Sequence, residues 1–131
     1  GRDLFNDTWL KQHLQAQHLH SPSIRPQDVA RTLVALTAHT IVDVLVQHCN
    51  TVDEIYLCGG GARNCLLVAD LQALLIGKKI ATTDELGIGV DWLEAVAFAW
   101  LAQQTTNNKP SNLPSVTGAK GLRVLGAIYP A

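Results

Sequence analysis

The sequence has no methionine, few aromatic residues and no excess of charge of either sign. Aromatic residues make up 5% of the chain, and ten basic against eleven acidic residues leave a formal net charge of -1. Because nucleic acids and anionic membranes are recognised through concentrated positive charge, this balance argues against both as partners. The lack of methionine fits either a processed start or a missing upstream portion.

Cysteine is also scarce. The three cysteines, Cys49, Cys58 and Cys65, are an odd number without C-x-x-C spacing, which favours reduced thiols and a cytoplasmic location. Cys58 lies in an apolar run and is expected to be a packed thiol. No apolar run approaches the roughly 20 residues that cross a bilayer, and residues 1–3 do not resemble a signal peptide, so no membrane association is expected.

The hydrophobic content is sufficient for one core: 47% of the 131 residues are hydrophobic, so a single domain over residues 1–131 is expected.

Two helices are predicted in the first part of the chain. A short amphipathic helix ends near His18, with Asp7 or Thr8 as its cap. A long helix runs over residues 26–48, and its apolar residues cover adjacent faces, so we expect it to be central and largely buried.

A strand–helix–strand unit is predicted next. Residues 55–58 form a continuous apolar run, as expected of a strand covered on both faces in a parallel sheet. The run ends in three glycines at 59–61, a helix follows as far as Gly77, and residues 79–82 form a second strand. The sequence therefore predicts an α/β fold, with a βαβ unit packed with long helices.

The remainder is predicted as a glycine-punctuated loop over 83–90, a helix over 91–104, a polar connector and a last strand over 124–129. Asp91 and Glu94 have the D-x-x-E spacing of a capping box, so they are interpreted as structural residues.

The turn Gly59-Gly60-Gly61-Ala62 is the strongest candidate site. It follows a buried strand and precedes a helix, at the sheet edge where α/β proteins bind ligands. Missing Cβ atoms let a flat base or a phosphate approach the backbone, so a nucleotide is the natural ligand. Asn64 either adds an amide contact or caps the helix. The alternative is a tight turn that needs glycine for a positive φ, although three glycines exceed what a turn requires.

Other motifs are absent or weak. The pattern G-x-G-x-x-G fails because Asn64 stands where the third glycine belongs, and no Walker loop or nucleophile elbow is present. The histidines near the first helix, His13, His18 and His20, lack a metal-ligand constellation. These motifs therefore support neither a hydrolytic triad nor a histidine metal site.

Asp84 and Glu85 follow the second predicted strand, again at the carboxyl edge of the sheet. A carboxylate there can accept hydrogen bonds from a sugar hydroxyl or order a water of Mg²⁺. The alternative is a solvated pair of loop residues, and the residues alone leave both open.

The chain resembles the anhydro-N-acetylmuramic acid kinases of bacterial cell-wall recycling. The matching stretches are residues 56–64, 81–87, 94–102, 112–119 and 125–130. The triple-glycine turn is shared by many actin-like ATPases and sugar kinases, whereas the later stretches in this order are more specific. Cys65 departs from the proline that is frequent there in the family, and Arg63 occupies a position expected to vary.

The resemblance implies an actin-like ATPase (ribonuclease H-like) fold, in which two domains close over ATP and Mg²⁺. It implies a cytoplasmic homodimer that opens the 1,6-anhydro ring and phosphorylates the sugar, giving N-acetylmuramic acid 6-phosphate for peptidoglycan recycling. The glycine turn then contacts ATP through Gly59, Gly60, Gly61, Ala62 and Asn64. Glu85 is the choice for a residue near the sugar.

The family's phosphate loop and catalytic aspartate match nothing in this sequence. The chain is therefore expected to be a C-terminal nucleotide-binding subdomain of a larger two-domain kinase, lacking catalytic residues and inactive alone. Two alternatives are another sugar or acyl kinase with the same adenosine motif, and a non-catalytic dimerisation module in which the glycines only shape a turn.

Overall fold

The computed structural model describes residues 3–16 and 24–130. The chain divides into two compact units, residues 1–50 and 51–131, which are described separately below. Whether they form the single subdomain expected from the sequence stays a prediction. The expectations for His18 and His20 lie outside the described residues.

The first unit contains helix α1 (Asp7–Ala16) and helix α2 (Pro26–His48). Both helices were predicted, but the predicted cap of α1 is wrong. The side-chain oxygen of Asn6 accepts the backbone N–H of Trp9 at 3.0 Å, so Asn6 caps the helix. An Asx side chain just before the helix reaches the third N–H of the first turn, which Asp7 inside the turn does not.

Helix α2 has the predicted bounds, and Pro26 occupies its first turn, where the missing N–H costs no hydrogen bond. The prediction that α2 is largely buried is wrong. Among its residues Ala38 alone is buried, whereas Val44 and Val46 are 56% and 57% exposed. An apolar helix is buried only where other elements cover it. In the described part of this unit the other helix is α1, which has 10 residues against the 23 of α2, so it is too short to cover all of α2.

Helix α2 also corrects the expectation that no stretch is long enough to cross a bilayer. Its 23 residues, with a mean hydropathy of 1.6 over the best window, meet that criterion by length and composition. The core helix of a soluble protein meets the same criterion of length and composition. The absence of a membrane partner stays a prediction.

The second unit begins with strand β1 (Glu54–Leu57), helix α3 (Cys65–Leu74) and strand β2 (Lys79–Thr82). The strands are parallel, with Ile55 opposite Ile80. The predicted βαβ unit is therefore confirmed, although β1 starts one residue early. Leu71 of α3, 1% exposed, and Leu75, 4% exposed, form its buried centre.

The strands are less covered than predicted. β1 is half-buried from its second residue onward, and the thiol-bearing Cys58 that follows it is exposed. Cys65 is exposed and Cys49 is half-buried, and all three thiols are free. The prediction of a packed Cys58 is wrong because the described sheet has two strands, which leaves its end uncovered.

The rest of the unit contains helix α4 (Leu93–Thr106) and one short helix, α5 (Pro114–Thr117), inside the predicted connector. The predicted capping box is wrong: α4 starts after Trp92, which makes no side-chain capping bond, so Asp91 lies outside the helix.

The strand predicted over residues 124–129 is not formed either, since the structure assigns no strand there. The carbonyl of Leu125 instead accepts a hydrogen bond from the hydroxyl of Thr105 in α4. A short apolar run by itself does not distinguish a strand from a segment that packs on a helix.

Asn112 closes the loop that carries α5. Its amide nitrogen donates to the carbonyl of Gly121 at 2.9 Å, and its oxygen accepts the N–H of Arg123 at 2.6 Å. The N–H of Ser111 donates to the carbonyl of Arg123 at 3.1 Å beside them. One half-buried side chain thus joins the two ends of the loop.

We expect Asn112→Ala to lower the free energy of unfolding by about 1–3 kcal/mol, because it leaves two backbone groups without their partners. Urea unfolding measures this loss. Asn107→Ala is the matched control, since Asn107 bonds only the carbonyl of Gln103 in its own helix among the contacts described. An equal loss in both variants would contradict the assigned role of Asn112.

Candidate functional site

The glycine turn lies at the carboxyl end of β1. Gly59 has a φ of +68°, which favours glycine, and residues Gly60–Arg63 form a 3₁₀ turn. Within this turn the N–H of Ala62 donates to the carbonyl of Gly59, and the N–H of Asn64 to that of Gly61, both at 3.1 Å. Gly59 is therefore the residue whose backbone conformation requires glycine.

The structure does not require glycine at positions 60 and 61. Neither has a positive φ. A Cβ built on Gly60 meets no atom within 4 Å, and one on Gly61 meets only the side chain of Leu67, at an ordinary 3.8 Å. Neither backbone conformation nor crowding within the described residues excludes a side chain at these two positions.

The N–H groups of the three glycines differ in availability. That of Gly59 donates to the carbonyl of Val90 at 2.7 Å. Those of Gly60 and Gly61 precede the first bonded N–H of the 3₁₀ turn, so they have no partner within it. Both residues are exposed. The turn therefore presents two adjacent backbone donors beside open space.

The loop after β2 is folded on itself. A 3₁₀ turn (Thr83–Leu86) is followed by Gly87 in the left-handed conformation, with a φ of +81°. The N–H of Ile88 donates back to the carbonyl of Thr83 at 3.1 Å. A Cβ on Gly89 would approach the ring of Trp92 to 3.0 Å, so this glycine allows a close contact. These contacts bring Val90 to the glycine turn.

A second contact joins the two loops. The guanidinium of Arg63 donates two hydrogen bonds to the carboxylate of Asp91, one from Nε to Oδ1 at 3.3 Å and one from Nη2 to Oδ2. The side chains are 65% and 55% exposed. Such a forked pair fixes the relative orientation of its partners more strongly than a single bond.

The hydrogen bond from Arg63 lowers the pKa of Asp91. A lowered carboxyl pKa stabilises the folded state above the unfolded pKa of about 4, and this contribution is lost as the pH falls through the folded value. The ion pair is consequently intact at neutral pH.

The remaining predicted site residues have other partners. The side-chain oxygen of Asn64 accepts the N–H of Leu67 at 3.2 Å, which is the capping role. Ala62 is half-buried in the turn. The carboxylate of Asp84 accepts the hydroxyl of Thr82 at 2.7 Å, and that of Glu85 pairs with the ammonium of Lys79 at 2.7 Å.

Glu85 thus belongs to a charged cluster on the strands. Its hydrogen bond raises the pKa of Lys79, and a second bond to the hydroxyl of Tyr56 adds to the shift. Lys79 therefore stays protonated at neutral pH and keeps the carboxylate of Glu85 paired. The described contacts place Glu85 with Lys79 and not with the glycines.

Residues 3–16 and 24–130 contain no group of three or more histidine, cysteine, aspartate or glutamate side chains suited to a metal ion. The hydroxyl of Thr83, 5% exposed, has no hydrogen-bond partner in the described structure. Thr83 directly follows β2 and begins the loop that reaches the glycine turn.

The sequence interpretation missed the roles of Arg63 and Asp91. Their opposite charges follow β1 and β2, whose carboxyl ends share one edge of a parallel sheet. That placement was a usable signal for a pair. This signal was overlooked because the D-x-x-E spacing of Asp91 and Glu94 is also that of a helix capping box, which explained Asp91 without a distant partner.

Comparisons with known proteins give a consistent result. The profile of the family described as anhydro-N-acetylmuramic acid kinase matches residues 1–131. Proteins of that name from Nitrosospira multiformis and Pasteurella multocida are each 52% identical over 131 residues, covering 100% and 99% of this chain. One from Legionella pneumophila (strain Corby) is 47% identical over 130 residues, 99% of the chain. The chain spans 34% of the length of each of these relatives.

Proposed function

Because this chain belongs to the anhydro-N-acetylmuramic acid kinase family, as the resemblance implied, we propose that it forms the adenosine side of the nucleotide site of such a kinase. One observation carries the proposal. Gly60 and Gly61 offer open backbone at the carboxyl end of a parallel strand, and their two N–H groups have no partner within the described residues, although the turn itself requires glycine only at position 59.

The geometry fits an adenine nucleotide. A planar base or a ribose approaches a backbone without Cβ atoms closely, and exposed N–H groups supply directional hydrogen bonds. Gly59 holds the turn in shape and Asn64 caps the helix that follows, so both act on the ligand through the conformation of the turn. This proposal assigns direct contact to Gly60 and Gly61, with Ala62 beside them.

The proposed reaction is the one that the family resemblance implies, the phosphorylation of an anhydro sugar by ATP. Water adds to the anomeric carbon of 1,6-anhydro-N-acetylmuramic acid and releases one proton to solvent, and the bond from that carbon to the 6-oxygen breaks. The 6-oxygen bonds to the γ-phosphorus of ATP, the bond from that phosphorus to the β,γ-bridging oxygen breaks, and ADP leaves. ATP supplies the phosphoryl group, and Mg²⁺ neutralises its charge. The residues of this chain bind and orient the nucleotide.

The rest of the proposed assembly lies outside this chain. The described residues contain no group of three or more histidine, cysteine, aspartate or glutamate side chains that could hold a metal ion. Mg²⁺ would be bound by the phosphates of ATP together with one or two carboxylates. We place this chain as its C-terminal portion, in a cytoplasmic homodimer, and expect it to be inactive alone. Phosphoryl transfer needs charge neutralisation and positioning from both sides of a cleft.

An assay of the full-length protein tests the proposal. With ATP and Mg²⁺, we expect phosphorylation of 1,6-anhydro-N-acetylmuramic acid and no comparable turnover of glucose or acetate, with the product identified by mass spectrometry. Preferred turnover of glucose or acetate would support the hypothesis of another sugar or acyl kinase. No turnover of any of the three compounds would favour a dimerisation module.

The same assay tests Glu85 as the residue near the sugar. Its pairing with Lys79 leaves carboxylate lone pairs that can accept a sugar hydroxyl. In that role, Glu85→Gln raises the KM for the sugar and leaves the KM for ATP unchanged. An unchanged sugar KM assigns Glu85 to the charged cluster alone.

A further inference from the structure

We propose that Arg63 and Asp91 are a positioning pair that sets nucleotide affinity by holding the glycine turn against the loop that follows β2. The inference rests on the proposed function and extends it to two residues for which the sequence indicated no role in the site. It concerns how the turn is held, and neither residue needs to touch the ligand.

The pair completes a two-point attachment. Gly59 is bonded to Val90 through its N–H, at 2.7 Å, and Arg63 is bonded to the adjacent Asp91 through its side chain. The two attachment points on the glycine turn are therefore Gly59 and Arg63. The residues between them include Gly60 and Gly61, whose N–H groups have no partner in the part of the chain that the structure describes.

Such an attachment matters because the attached segment is rich in glycine. Glycine has more backbone freedom to lose than any other residue. A binding loop that is ordered before the ligand arrives avoids the entropic cost of being ordered by it, and its affinity is correspondingly higher. The strands add little restraint here, since each has four residues and both loops extend beyond their ends.

Two simpler roles for these side chains do not account for the geometry. Asp91 does not cap α4, because that helix begins after Trp92 and uses no side-chain cap. A general stabilising role is weak for a pair of which both side chains are more than half exposed, since exposed ion pairs contribute little to stability. The effect of breaking the pair is expected in nucleotide binding rather than in unfolding.

The test is a double-mutant cycle on the full-length protein. Calorimetry with a non-hydrolysable ATP analogue measures the Kd of Arg63→Ala, Asp91→Ala, the double variant and the charge swap Arg63→Asp/Asp91→Arg. We expect each single variant to weaken binding about two- to fivefold, in keeping with the small contribution of an exposed ion pair. The double variant is expected to be no weaker than either single, and the swap to recover most of the loss. In turnover, the KM for ATP rises and kcat is nearly unchanged.

A matched control is available in the first unit. Arg25 and Asp28 form the same kind of exposed forked pair, with 2.9 Å between Nη2 and Oδ1. Arg25→Ala is expected to leave nucleotide affinity unchanged. Hydrogen exchange gives a second readout: the hydrogen-bonded amides of Gly59 and Ala62 exchange faster in Arg63→Ala and Asp91→Ala, before any nucleotide is added.

Each result has one interpretation. Unchanged affinity in both single variants, or additive losses in the double variant, overturns the positioning role. Weaker binding in Arg63→Ala with unchanged or tighter binding in Asp91→Ala also overturns it, because Arg63 then contacts the nucleotide directly. If the unaltered protein fails to bind the analogue, the proposed function itself is wrong, which separates that failure from the others.

Discussion

Replacing Gly60 with valine is expected to abolish nucleotide binding, a loss of at least about a hundredfold, while the fold is retained. The backbone of Gly60 has no positive φ, and a Cβ at this position meets no atom of the described structure within 4 Å. The added side chain therefore occupies the space through which the ligand approaches. Surface changes without a clash usually alter stability by less than about 0.5 kcal/mol.

Calorimetry with an ATP analogue and thermal unfolding of the full-length protein measure the two effects separately. Gly59→Ala is the informative companion, because a φ of +68° strains any residue with a Cβ. It is expected to lower stability by about 1–3 kcal/mol, because this backbone conformation is almost restricted to glycine. Gly60→Val that binds the analogue as well as the unaltered protein would mean that the glycines only shape the turn, as in the dimerisation-module hypothesis.

Leu71→Ala is expected to give the largest loss of stability, about 2–5 kcal/mol. Leu71 is 1% exposed, in the middle of the helix that connects the two strands. Alanine keeps the helix propensity, so the loss comes from buried apolar surface and from the cavity left behind. Because the site is built at the ends of these strands, nucleotide affinity is expected to fall as well.

Urea unfolding followed by circular dichroism measures the loss. Leu66→Ala is the matched control: it removes the same atoms from the same helix at a position that is 51% exposed. We expect it to cost about 1 kcal/mol or less, since little apolar surface is buried there. Similar losses in the two variants would show that α3 is not anchored to the sheet through Leu71.

The elements that were predicted correctly have local signals. Residues 79–82 lie between Gly77 and a polar loop, and β2 has those bounds. Pro26 opens α2, and the helix ends at His48 as predicted. The parallel pairing followed from the intervening helix, because two strands joined by a helical crossover run in the same direction. The position of the glycine turn at the strand end followed from the same unit.

The errors concern what an element contacts. The apolar faces of α2 predicted burial, yet most of the helix is exposed within the described structure. The spacing of Asp91 and Glu94 predicted a cap, yet Asp91 binds Arg63, 28 residues earlier in the chain. In both cases the residue pattern is present in the sequence, but it does not specify which distant residues contact the element.

The amino-acid sequence was sufficient for the family, for the βαβ unit and for the glycine turn, because these depend on periodicity, on glycine and proline positions and on residue order within short stretches. The tertiary structure was needed to show that Gly59 maintains the turn while Gly60 and Gly61 stay available, and that Arg63 and Asp91 join two loops. Hydrogen bonds between distant residues depend on where the fold places them, and the order of residues showed only that Arg63 and Asp91 each follow one of two parallel strands.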